Sequence, residues 1–295
     1  MEMIPADDGV RLRTWTAGTA TGRPSVLLLH GGPGLWDYLG PVSRMLEPLT
    51  VVHRFDQRGC GGSDPSDEHT TARYVADIEA LRRHWNVESW TVAGHSFGSE
   101  LALSYAIVHP ARTAALLYLN GVGIGDWRAA YRAEIARRMT PAQRDRLAGL
   151  SARTHRTHDE ELEFRTLAWF TDHADPHRGW AWAAADAAVD LPINFTANRR
   201  LADERRARDE AAHVAAARRL TMPCHFVHGA ADPRPSAAVA ELAAAIPTAE
   251  LHILEGAGHQ PWREHPERFA ALLRKIVAGR RPRRLPHPGT GWARD

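Results

Sequence analysis

The sequence has little of what several function classes require. Only two of its 295 residues are cysteine, Cys60 and Cys224. They form no Cys-x-x-Cys pair and no disulfide framework, so the expectation is a reducing, cytoplasmic setting. The opening residues, Met1-Glu2-Met3-Ile4-Pro5-Ala6-Asp7-Asp8, lack the basic-then-apolar order of a signal peptide. Apolar runs such as Val26-Leu27-Leu28-Leu29 fall far short of the roughly 20 residues that span a bilayer, so no membrane association is expected. A charge excess is missing too. Lys+Arg 37 against Asp+Glu 35 leaves a formal charge of +2, whereas a nucleic-acid binder needs a basic excess on one face. Lys275 is the single lysine, a compositional bias toward arginine. There is no His-Glu-x-x-His, and His173 and His177 flank Asp175-Pro176, which breaks helical spacing. The sequence therefore calls for neither a metal nor a cofactor.

What is present is an ordinary globular composition, 44% hydrophobic and 24% charged, on a chain long enough to bury a large core unaided. Short Val/Leu/Ile-rich runs at 26–29, 50–55, 90–93, 115–119, 225–227 and 251–254 read as strands. They are continuous rather than alternating, as parallel strands covered on both faces are. Helical patterns lie between them at 72–85, 97–108, 236–245 and 266–277. This alternation predicts an α/β fold with a mostly parallel, doubly wound sheet. Residues 9–15 alternate in character and are expected as an antiparallel edge strand.

The alternation stops between about 125 and 217, where no strand candidate appears. That stretch predicts a helical cap inserted into a core built from 1–124 and 218–278. It is rich in tryptophan, and Trp127 and Trp180 are expected to contact substrate, as is Gly31. Residues 279–295 are basic and contain Pro282, Pro286 and Pro288, which predicts a poorly ordered tail.

Gly94-His95-Ser96-Phe97-Gly98 matches G-x-S-x-G between a strand and a helix, the context this nucleophile motif requires. Ten serines and 23 glycines predict roughly 0.06 such matches by chance. A serine at a sharp strand-to-helix turn projects its hydroxyl, and side chains two before or two after would collide. A hydroxyl is a weak nucleophile and needs a base. The base is expected after the last strand, in Glu255-Gly256-Ala257-Gly258-His259. The acid is expected one strand earlier, in Gly229-Ala230-Ala231-Asp232-Pro233. Asp232 would fix the tautomer of His259, with Asn120 and Asp126 as alternative positions. His228 and His252 read as packing residues.

His30-Gly31-Gly32-Pro33-Gly34 follows the strand at 26–29. Its glycines let backbone approach a ligand. Acyl transfer needs two N–H groups aimed at an oxyanion, here assigned to Gly32 and Phe97. Pro33 cannot donate, and its bond to Gly32 is a candidate for the cis form.

Together these motifs resemble the α/β-hydrolase superfamily across residues 1–278. His30-Gly31-Gly32-Pro33-Gly34 with Asp56-Gln57-Arg58-Gly59-Cys60-Gly61-Gly62-Ser63 resembles its proline iminopeptidase branch. The resemblance implies a cofactor-free hydrolase with a helical cap, releasing an N-terminal proline or small residue from a short peptide. Asp56 and Arg58 are expected to brace neighbouring loops. Two features depart from that branch. His95 and Phe97 stand where it has Gly and Trp, and no glutamate of 125–217 stands out as a partner for a substrate amine. Glu100 reads as a helix ion pair. The alternatives are an esterase, lactonase or amidase acting on a small apolar acyl compound and, behind it, a non-hydrolytic or ligand-binding member of the same fold.

Overall fold

The computed structural model describes residues 1–279, so all of the predicted tail except Gly279 lies outside the described residues. Among these, eight strands form one sheet: β1 (Glu2–Pro5), β2 (Arg11–Ala17), β3 (Val26–Leu29), β4 (Val52–Phe55), β5 (Trp90–His95), β6 (Thr113–Leu119), β7 (Cys224–Gly229) and β8 (Ala249–Leu254). Their order is β1-β2-β4-β3-β5-β6-β7-β8. β1, β2 and β4 pair antiparallel, and every pairing from β4 through β8 is parallel. The helices are α1 (Gly40–Leu46), α2 (Thr71–His84), α3 (Phe97–Val108), α4 (Trp127–Arg138), α5 (Pro141–Ser151), α6 (His158–Trp169), α7 (Pro176–Ala187), α8 (Phe195–Ala207), α9 (Glu210–Ala217), α10 (Ser236–Ala244), α11 (Pro261–Glu264) and α12 (Pro266–Ala278). None of them is long and apolar enough to cross a membrane.

The four residues of β3 explain the doubly wound arrangement. Successive side chains point to opposite faces of a sheet. Leu27 and Leu29 join a core with Tyr74, Ile78, Leu101 and Leu242 of α2, α3 and α10. Val26 and Leu28 join the other, with Val42 and Leu46 of α1 and Phe269 and Leu273 of α12. All four are fully buried, each stabilising the fold by about 1.5–3 kcal/mol. A continuous apolar run is the signature of a strand with helices on both faces.

One expectation is corrected at the sheet's start. The strand predicted at 9–15 is β2, and it is interior, lying between β1 and β4. β1 holds the edge. Its four residues bury only Ile4, and Pro5 cannot donate to a ladder, so it leaves almost no periodic pattern to read.

α4 to α9 fall between β6 and β7, and among the described residues no strand interrupts them. Their starts are chemically marked. Thr140 with Gln143 and Thr157 with Glu160 form reciprocal capping boxes at α5 and α6. Asp175 caps α7 and Pro176 occupies its first position, so His173 lies outside that helix. Met139, Leu150, Leu167, Phe170 and Ala183 give the insertion a small core of its own.

The Gly-rich segment after β4 braces the sheet edge. Asp56 accepts from Arg13 Nε at 2.7 Å, the Asp37 amide at 2.7 Å and the Gly62 amide at 2.8 Å. Arg58 is fully buried and binds both oxygens of Asp77, at 2.6 and 2.7 Å, while Asp8 approaches to 2.9 Å.

Candidate active site

Ser96 sits where β5 turns into α3, with φ 58° and ψ −121°. This left-handed conformation is strained for a residue with a side chain, and such strain concentrates at functional sites. The flanking glycines make the turn possible. A Cβ on Gly94 would lie 1.8 Å from Gly98 O, and one on Gly98 would lie 2.1 Å from Leu29 O. Phe97 is the first residue of α3, so its N–H has no acceptor inside the helix.

β7 and β8 are neighbours, and the loops leaving their C-terminal ends carry Asp232 and His259. His259 Nδ1 donates to Asp232 Oδ2 at 2.7 Å. Burial works against ionised Asp232, but the charges of His259, Arg234 and His228 outweigh it and hold the carboxyl well below its usual range. The proton between the two therefore belongs to Nδ1, which leaves Nε2 of His259 as the basic nitrogen. Asp232 has further donors. Asn120 Nδ2 reaches Oδ2 at 2.9 Å, and the Arg234 amide reaches Oδ1 at 2.9 Å. Asn120 also donates to Gly258 O at 3.1 Å, tying the two loops together.

A second network links the His30–Gly34 loop to the His259 loop. The Gly31 amide donates to Tyr38 Oη at 2.8 Å, Tyr38 Oη donates to His95 Nδ1 at 2.7 Å, and His95 Nε2 donates to His259 O at 2.8 Å. Burial pushes His95 well below the ordinary imidazole value, so it is neutral and has the single N–H this chain needs.

Ser96, His259 and Gly32 line one cavity of about 290 Å³ with Trp36, Trp169 and Asp172. No hydrogen bond joins Ser96 to His259 among the described residues. Such contacts often tighten only when substrate is bound. The Gly32–Pro33 bond is cis, and Gly32 has φ 129°.

Gly31 lies beneath Ser96, where a Cβ would come 2.8 Å from Ser96 Cβ and 2.5 Å from Tyr38 Oη. It lines neither chamber beside Ser96, so its constraint is packing. Trp127 lines a second chamber of about 400 Å³ that shares Ser96 and Gly32. Trp180 is not brought to either. It is 40% exposed and packs on Phe170, because it falls on the outer face of α7. Asp126 is exposed ahead of α4, whereas Asn120 is a buried donor to Asp232. His228 is buried beside Asp232, with Nε2 3.9 Å from Oδ2. Glu100 pairs with Arg205 at 2.6 Å.

Sequence reasoning passed over Tyr38 and Arg234. The only signal for Arg234 was its place two residues after Asp232. Two groupings of three possible metal ligands exist among the described residues, His225/Glu250/His252 and Asp7/Asp8/Asp77. None of those six lines either chamber beside Ser96.

The curated relatives the chain matches include a putative proline iminopeptidase of Mycoplasma pneumoniae, 40% identical over 130 residues, 42% of this chain and 41% of the relative. A probable proline iminopeptidase of Streptomyces coelicolor is 39% identical over 132 residues, 42% of this chain and 40% of that one. The chain thus matches about two fifths of the length of these relatives. Among solved structures, the proline iminopeptidase of Mycobacterium smegmatis superposes with a TM-score of 0.68 at 20% identity, covering 94% of this chain and 97% of that one. The profile of the alpha/beta hydrolase family matches residues 26–272, and this chain belongs to that family, within which it resembles the proline iminopeptidase branch.

Proposed function

We propose that the protein is a metal-free serine hydrolase working through an acyl-enzyme. The observation that carries this reading is the 2.7 Å bond from His259 Nδ1 to Asp232, with His259 and the strained Ser96 lining one cavity. Ser96 Oγ attacks a substrate carbonyl as His259 Nε2 takes its proton. Asp232 holds the imidazole in the productive tautomer and balances the imidazolium that forms. The amides of Gly32 and Phe97 receive the oxyanion, each donor worth about 2.7–4 kcal/mol in the transition state. The intermediate collapses, and His259 returns the proton to the leaving nitrogen or oxygen. Water then repeats the sequence and frees the acid.

For the substrate we infer a short peptide or other aminoacyl compound with a free amine. Asp172 and Asp186 line the Ser96 cavity and supply negative charge for that amine, with Trp36 and Trp169 for a small apolar side chain. Both carboxylates already have arginine partners, Arg234 for Asp172 and Arg263 for Asp186. That pairing favours, as a second reading, an ester or lactone with no amine.

The test compares a proline arylamide, its N-acetylated form and a short-chain aryl ester, on wild type and Ser96→Ala. Cleavage of the free-amine amide alone, abolished in the variant, supports the aminopeptidase reading. Ester cleavage alone supports the second. Full turnover by Ser96→Ala would overturn the serine mechanism itself, since loss of the nucleophile leaves only about 10³–10⁴-fold over water.

A further inference from the structure

Ser96, Gly32 and Arg234 border two chambers that differ in their other charged residues. The first, described above, holds Asp172 and Asp186. The second is lined by Arg128, Arg205, Arg206 and Arg234, with Glu100 as its one carboxylate among the described residues. Three of those arginines are committed. Arg205 binds Glu100 at 2.6 Å, Arg206 pairs with Asp203, and Arg234 binds Asp172 at 2.7 Å. Glu100 is further approached by Arg208 at 3.6 Å. Arg128 has no carboxylate partner among the described residues, and its guanidinium lies 4.7 Å from the Trp127 ring centroid. Trp127 itself carries a buried indole N–H with no acceptor. A chamber that gathers spare positive charge beside an unsatisfied donor is built for an acceptor that carries negative charge.

We propose that this second chamber is a carboxylate-binding subsite, and that the preferred substrates bear a free carboxylate within a few bonds of the scissile carbonyl. The inference rests on the serine-hydrolase reading of Ser96. Arg128, on α4, is the anchoring residue, and the Trp127 N–H is the second donor. Burial, together with the charges of Arg205 and Arg206, pushes the Arg128 guanidinium below its ordinary value, even though the charges of Glu100 and Asp126 act the other way. A volume of about 400 Å³ accommodates a small acid or one amino-acid residue.

Two matched pairs of substrates test the proposal on wild type, Arg128→Gln and Arg128→Lys. In one pair the carboxylate sits on the acyl side, 4-nitrophenyl hemisuccinate against 4-nitrophenyl butyrate. In the other it sits on the leaving group, Pro-Gly against Pro-Gly-amide. A charge-assisted bond to a carboxylate predicts that wild type prefers the anionic member of at least one pair by about 10- to 100-fold in kcat/KM. Arg128→Gln should lose that preference, lowering kcat/KM for the anionic member about 10- to 100-fold more than for the neutral one, and Arg128→Lys should restore part of it. The pair that responds identifies the side of the scissile bond that enters the chamber. Calorimetric titration with succinate, against succinamide, reads the subsite without turnover. Saturable succinate binding weakened about tenfold by Arg128→Gln supports the proposal. Equal turnover within both pairs, with no succinate binding, overturns it. Splitting of the ester pair with no peptide cleavage would sink the aminopeptidase reading and leave the subsite standing.

Discussion

Replacing Asp232 by asparagine tests the proposed orienting acid at a single atom. The two oxygens of Asp232 face different donors. Oδ1 accepts from the Arg234 amide at 2.9 Å and from Arg234 Nη1 at 3.3 Å. Oδ2 accepts from His259 Nδ1 at 2.7 Å and Asn120 Nδ2 at 2.9 Å. In Asp232→Asn one of these positions becomes an NH₂. The Arg234 side offers a charged donor and a fixed main-chain one, and charged donors bond about twice as strongly as neutral ones. The amide oxygen therefore stays with Arg234, and the NH₂ turns to His259. His259 then accepts at Nδ1 and carries its proton on Nε2, where it cannot receive the proton of Ser96. The expected loss in kcat is about 10⁴-fold, equivalent to about 5 kcal/mol of barrier. Asn120 can turn its Oδ1 to the new NH₂ only by giving up its bond to Gly258 O, a loss of about 0.5–1.5 kcal/mol. The fold should survive that loss, with a melting temperature only modestly below wild type. The assay is kcat on an aryl ester, read beside a thermal melt of the same sample. A loss of less than tenfold with unchanged melting would refute Asp232 as the orienting acid.

Three further outcomes are expected. Asp77→Ala leaves the buried Arg58 with the Ser66 hydroxyl and one carboxylate, Asp8, which is 30% exposed, and should cost about 3 kcal/mol in a denaturant titration, the low end for a broken buried pair. Hydrogen bonds from Arg82 hold the Glu79 carboxyl down to about 2 against an ordinary value of 4.5. Its contribution is therefore complete above about pH 4.5 and lost as pH falls toward 2, so the stability gap between wild type and Glu79→Gln should close over that window. Gly31→Ala drives a methyl into Tyr38 Oη and Ser96 Cβ, and should reduce kcat at least tenfold with a modest fall in melting temperature, measured on the same ester.

Much of the site was legible because its chemistry constrains the backbone. The glycines at 94 and 98 are demanded by contacts under 2.2 Å with backbone, so they mark the turn at Ser96 in the sequence itself. Asp232 and His259 were readable from their places after the last two apolar runs. β1 was not readable, because four residues with one buried side chain carry no period. Trp180 was placed at the site by residue type alone, and which face of α7 it occupies depends on packing that no local pattern encodes. Asn120 was weighed only as an acid. Its role as donor to Asp232 and Gly258 arises from two loops that are 112 and 138 residues away along the chain. The charge contrast between the two chambers is likewise tertiary, since Arg128 and Arg205 of one come from α4 and α8 and Asp186 of the other from α7.

Among the described residues β8 is, with β1, one of the two outer strands of the sheet, and the loop bearing His259 hangs from it. Asp232 hangs from the strand just inside. Peripheral strands open locally at lower free energy than the centre of a sheet. A brief departure of β8 would carry the imidazole away from its carboxylate while β3, β5 and both helical layers stayed folded. Heat inactivation should therefore run ahead of the spectroscopic melting curve and reverse on cooling, making enzymatic output an early gauge of wear at one margin of the molecule.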